Sequence, residues 1–185
     1  MLEAVAREGD GHRAALRGDA VGARVAYARA IESYRASWEA APPEAYGRVI
    51  GMLKASVLAG AGEQDAAYAR AAISDEAAAS SPAAAYARAI AALATGDDEG
   101  AARHATVMRG GSDAFRRAAA AIEALATGDA AGYREAITAI VRDFEGRDEH
   151  LTGVAFADTA AMLETLAAPR GLDAAVASGL LPPVV

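Results

Sequence analysis

The chain has 185 residues, a formal net charge of −7, no cysteine, and alanine at close to a third of its positions. Without cysteine there is no disulfide framework, no thiolate metal site and no cysteine nucleophile. The acid excess would repel a phosphate backbone, which argues against nucleic acid as a partner, and no run approaches the roughly 20 apolar residues of a membrane span.

The opening Met1-Leu2-Glu3-Ala4-Val5-Ala6-Arg7-Glu8 carries acid where a secretory signal needs basic charge, so a cytoplasmic protein that binds no membrane is expected. The length suits a single domain over 1–185. Dense alanine with few β-branched and aromatic residues points to an all-α chain. Of the 18 basic residues only Lys54 is lysine, which, with the alanine and glycine content, reads as the codon usage of a high-GC bacterium. Residues 1–60 carry eight basic and seven acidic side chains, and the remainder ten and eighteen.

In chain order, residues 2–16 read as a weak helix interrupted by Gly9-Asp10-Gly11, so the first helix should start near Gly11 or bend there. Gly18 suits the left-handed residue that ends a helix, and Asp19 suits the N-cap of the next. From Ala20 to about Ala40, residues Ala23, Tyr27, Ala30, Ile31, Tyr34 and Trp38 share one face. Pro42-Pro43 stops that helix, and Pro43 should open another, from about Glu44 to Ala59. Gly60-Ala61-Gly62 turns into a helix from Glu63 to about Ala79, and Ser80-Ser81-Pro82 starts one reaching Ala94. Helices from 98 to 108, from 112 or 113 to 126, and from 130 to about 144 follow, then a charged connection to His150 and a helix over 158–168 stopped by Pro169-Arg170-Gly171.

The stretch beginning Gly18-Asp19-Ala20-Val21-Gly22 returns in degenerate form at Gly62-Glu63, Gly96-Asp97-Asp98-Glu99-Gly100 and Gly128-Asp129-Ala130-Ala131-Gly132. These glycines lie 44, 34 and 32 residues apart, the length of a two-helix unit. At the Gly-Asp turns the chain resembles tetratricopeptide-type repeats, in which such a turn joins two antiparallel helices with small residues at their crossing points. The first copy follows the pattern with Ala23, Tyr27 and Ala30. The small position seven residues before each glycine is Gly11, Ala55, Ala89 and Ala121. The later counterparts of Tyr27 are Ala71, Ala105 and Ile137, and those of Ala30 are Ser74, Met108 and Ile140. Methyl-sized side chains at a crossing let two helices approach to the short end of the usual separation of about 8–10 Å.

The resemblance covers roughly residues 10–145 as about four degenerate helix pairs and leaves 146–185 as a C-terminal cap. It implies an all-α fold of antiparallel helix-turn-helix pairs, stacked as a short right-handed superhelix and closed by a capping helix. It also implies a protein or peptide binder. The peptide-clamp members of the family line their groove with basic and asparagine residues; this chain has no asparagine and one lysine, which speaks against that mode. The tail, a helix followed by an Arg-Gly break and a Leu-Pro ending, is similar to the C-termini of some bacterial toxin-immunity proteins of helical-repeat fold.

No local motif assembles a catalytic set: there is no Gly-x-Ser-x-Gly, no Walker loop and no strand to carry one. The turn glycines are each followed by an acid that would repel phosphate. His12, His104 and His150 are far apart and lack a second ligand at helical spacing, so neither a metal nor a cofactor is expected. The scarce aromatics cluster, however. Tyr27, Tyr34, Trp38 and Tyr46, with Arg24 and Arg35, either fill the first helix pairs or supply anchors to a partner, since Trp, Tyr and Arg dominate binding hot spots. The expected role is a protein-interaction module without catalysis. The alternatives are an immunity-type inhibitor of a toxin and, more remotely, an enzyme with a groove site; a homodimer through the first or last helix pair is left open.

Overall fold

Ten α-helices follow one another in the computed structural model, which describes residues 1–183: α1 Leu2–Leu16, α2 Ala20–Glu39, α3 Gly47–Ala59, α4 Gly62–Ala72, α5 Asp75–Ser80, α6 Pro82–Ala94, α7 Asp98–Met108, α8 Asp113–Thr127, α9 Ala130–Glu145 and α10 Asp158–Ala167. A 3₁₀ turn, Ala168–Arg170, continues the last helix. Among the described residues there is no strand, and consecutive helices pack in pairs: α1 on α2, α2 on α3, α6 on α7, α7 on α8 and α8 on α9. The expected all-α repeat architecture is thus the one adopted.

The Gly-Asp-x-x-Gly turn has a local cause. Gly18, Gly96 and Gly128 take φ values of 74°, 74° and 72°, the left-handed conformation that closes a helix with no Cβ to obstruct it. The aspartate that follows caps the next helix, its Oδ1 accepting the backbone N–H of Gly22, Gly100 or Gly132 at 2.8, 2.8 and 3.0 Å. The last glycine of the motif leaves room for that carboxylate: a Cβ built on any of the three would collide with it. All three turns are helix stops and caps, with the acid where an anion would otherwise sit.

Several boundaries differ from expectation. The left-handed residue of the second turn is Gly60 (φ 78°), not Gly62, so the hinges at 18, 60, 96 and 128 lie 42, 36 and 32 residues apart. The second copy therefore moves by two positions, and the equivalents of Gly11 and Tyr27 become the buried Leu53 and Ala69, not Ala55 and the exposed Ala71. Helix α1 runs unbroken through Gly9 and Gly11. A Cβ on Gly11 would lie 2.5 Å from a ring carbon of Tyr27, and one on Gly9 would lie 3.0 Å from the Thr152 carbonyl oxygen. These glycines are holes for neighbours, not breaks.

Pro43 does not open α3. Glu44 takes a positive φ of 68° and the helix begins at Gly47. The helix expected over 63–79 is broken at Ile73, which is extended; Ser74 then caps α5 by accepting the Ala77 N–H at 3.2 Å. Arg88 holds the break by donating to the Ile73 carbonyl at 2.6 Å and pairing with Asp75 at 2.6 Å.

The C-terminal segment does more than cover the last pair. Helix α10 packs on α3, α8 and α9, while Val154 and Phe156 reach α1, where Phe156 stacks on His12 at 4.2 Å. Farther on, Arg134 donates to the Ala174 carbonyl at 2.7 Å and Ala157 N–H to the Leu180 carbonyl at 2.9 Å. Phe156, Met162 and Leu163 are all buried, and the segment lies along the array from its last pair back to its first. Residues 184 and 185 of the expected cap lie outside the described residues.

Candidate functional site

The six residues expected to meet a partner separate into three groups. Tyr27 and Tyr34 are each 1% exposed, and their rings fill the space above Gly11 and Gly51. They belong to the core and offer no surface to an anchor site, which corrects the contact reading for both. Arg24 is exposed, but it lies fourteen residues before Trp38 on one helix, about 21 Å away at ~1.5 Å per residue. Arg35 is already committed: it pairs with Asp65 at 2.5 Å and lies 4.4 Å over the Tyr68 ring. Asp65 in turn accepts the Ser56 hydroxyl at 2.7 Å, so this arginine ties α2 to α3 and α4.

Trp38 and Tyr46 remain, and the fold brings them together. Their half-buried rings meet at 5.9 Å and 31° across the connection between α2 and α3. They border an open cleft of about 510 Å³ whose far side is Ile73 and Ala77 at the α4–α5 break, with Glu44 and Glu76 on the rim. Both carboxylates are exposed, and neither joins an ion pair among the described residues. Nearby cations are engaged elsewhere: Arg35 with Asp65, Arg88 with Asp75, and Arg48 with the Ser37 carbonyl. The cleft therefore combines aromatic faces with unneutralised negative charge.

A second set of groups, spread over 150 residues, was not assembled from the sequence. The Tyr34 hydroxyl donates to Glu8 Oε2 at 2.6 Å, and His12 Nδ1 meets Thr152 Oγ1 at 3.1 Å. Lys54 Nζ donates to Asp158 Oδ2 at 3.0 Å and to Thr159 Oγ1 at 2.8 Å. Burial pushes the Glu8 carboxyl up to about 7, a rise that Asp158 reinforces and the Tyr34 hydrogen bond opposes. Burial likewise lowers the His12 imidazole to about 4, against the pull of Asp158. For Lys54 burial works to lower the ammonium, but the charge of Asp158 outweighs it and holds the pKa above its usual value; Asp158 is held low by Lys54 against its own burial. The one sequence signal for this set was Lys54, the single lysine among arginines, since a compact ammonium suits a confined pair.

Comparison with known proteins finds no matching family model, no matching curated protein and no matching solved structure.

Proposed function

We propose that the protein is a binding module without catalysis, built on a tetratricopeptide-like array, that accepts a basic side chain of a protein partner in the Trp38–Tyr46 cleft. The observation that carries this reading is the coincidence of two half-buried aromatic rings with the unpaired carboxylates of Glu44 and Glu76. An arginine or lysine there gains the ring faces, a contact of about 0.5–2 kcal/mol, and two nearby negative charges that steer its approach. The positive φ of Glu44 supports the reading, because a non-glycine residue in that conformation is uncommon and such strain gathers at binding sites. A basic toxin restrained by an immunity-type inhibitor would be a partner of this chemistry, and a toxin gene beside this one would favour it.

Affinity capture with wild-type and Trp38→Ala chains, followed by titration of the purified partner, tests the proposal. We expect a loss of affinity on the order of tenfold or more for Trp38→Ala. Glu44→Gln/Glu76→Gln should keep the wild-type melting temperature, bind more weakly and lose the salt dependence. A partner held equally by all three chains would refute the cleft as the site.

A further inference from the structure

A cavity of about 300 Å³ lies between the C-terminal segment and the inner sides of α1, α3, α6, α8 and α9. That is the lower end of the size range of small-molecule sites, which are mostly apolar with a few placed polar groups. Its walls fit that description. Phe115, Phe144 and Phe156 line it with Ile50 and Val154, and Phe115 meets the Tyr86 ring edge-on at 5.9 Å.

The polar groups sit at the two ends. At the closed end are Tyr86, 5% exposed, and Lys54, whose side chain is 12% exposed. The Tyr86 hydroxyl is buried near Lys54 and Thr159, which counter the effect of burial on its ionisation, yet no side chain completes a hydrogen bond to it. Lys54 has three N–H groups and commits two, to Asp158 and Thr159. An unmet buried hydroxyl is unfavourable, and a ligand oxygen in this position would satisfy it. The Lys54 and Asp158 charges offset each other, so the closed end suits a neutral polar group.

The open end differs. Leu151 is 76% exposed and the Arg147 side chain 36%, which places them toward solvent. Arg147 and Arg117 share the single carboxylate of Asp143, and Asp148 and Glu149 of the same loop are exposed. Beside them the Nδ1 of His150 is buried without a partner, and Arg147 lies 3.7 Å over the Phe144 ring.

We propose that this cavity binds a small hydroxylated aromatic carboxylate. The ring lies among Phe115, Phe144 and Phe156, the hydroxyl reaches Tyr86 and Lys54, and the carboxylate meets Arg147 and His150. This site is separate from the Trp38–Tyr46 cleft and does not depend on it.

Isothermal titration with the three hydroxybenzoate isomers, benzoate and phenol, each at millimolar concentration, tests the assignment, with NMR shifts of Ile50, Leu151 and Val154 locating the ligand. At least one hydroxybenzoate should bind on the order of tenfold more tightly than both benzoate and phenol. Tyr86→Phe, which removes an unpartnered hydroxyl and should fold normally, should erase the preference over benzoate. Arg147→Gln should erase the preference over phenol. Absence of binding by every hydroxybenzoate, shifts confined to other residues, or preferences untouched by both substitutions would each overturn the proposal.

Discussion

The first helix pairs and the alanine-rich pairs of α6 to α9 reach close helix packing by opposite means. In α1 to α3 a large ring enters a glycine hole: Tyr27 over Gly11 and Tyr34 over Gly51, where a Cβ would fall 2.6 Å from the Tyr34 ring. In α6 and α7 small faces meet, with Ala85, Ala89, Ala101 and Ala105 all 0% exposed. The difference extends to polarity. Glu8, His12, Ser56, Asp65 and Thr159, the buried polar or charged residues other than tyrosine, lie in α1, α3, α4 and α10, while α6 to α9 bury only the hydroxyls of Tyr86 and Tyr133. Around the rings set in glycine holes lie buried carboxylates and a histidine, whereas the alanine-rich pairs bury no charged side chain. The first region is therefore the one whose stability should depend on charge and pH.

The largest test removes the cation that joins that region to the tail. Lys54→Met leaves Asp158 nearly buried and unpaired, and should lower unfolding stability by about 3–5 kcal/mol in urea titration. The double change Lys54→Met/Asp158→Leu should recover much of that loss, because well-packed apolar residues can replace a buried pair. Full loss in the double variant would mean the pair is not what ties the tail down.

A second test uses pH. The raised carboxyl of Glu8 contributes stability below its ordinary value of 4.5 that is lost as pH climbs to about 7. The depressed imidazole of His12 contributes stability above 6.5 that is lost as pH falls to about 4. Each trend amounts to about 3 kcal/mol. Over the shared window of 4.5 to 6.5 they oppose each other, so the wild-type chain should be nearly flat in melting temperature. Glu8→Gln should expose the His12 trend, with stability rising with pH, and His12→Gln should expose the Glu8 trend, with stability falling. His104, held low by burial and by Arg88 and Arg103, adds a weaker rise common to all three chains. Parallel profiles in the two variants would contradict the assignment.

The smallest effect addresses packing directly. Alanine normally stabilises a helix interior by about 1 kcal/mol over glycine. Gly11→Ala should instead lose about 1–2 kcal/mol, because the buried Tyr27 ring cannot withdraw. In the other region Ala105→Gly should lose about 1 kcal/mol by the ordinary propensity. If Gly11→Ala stabilises in thermal denaturation, the ring-in-hole description of the first pair is wrong.

What the sequence determined by itself was local. A glycine in the left-handed conformation, an aspartate three residues before a glycine N–H, and a serine ahead of proline act within one turn of chain, so the stops at Gly18, Gly96 and Gly128 and the helix from Pro82 could be read directly. The aromatic cluster was legible as a cluster but not by orientation. Whether Tyr34 or Trp38 faces outward depends on Gly51, which lies on another helix. Tertiary structure alone decided that Gly9 and Gly11 are holes and not breaks, that the tail runs back to α1, and that Lys54 meets Asp158 across 104 residues. The reason is that burial is set by whatever lies on the other side of a surface, and for each of these residues that neighbour belongs to a distant part of the chain.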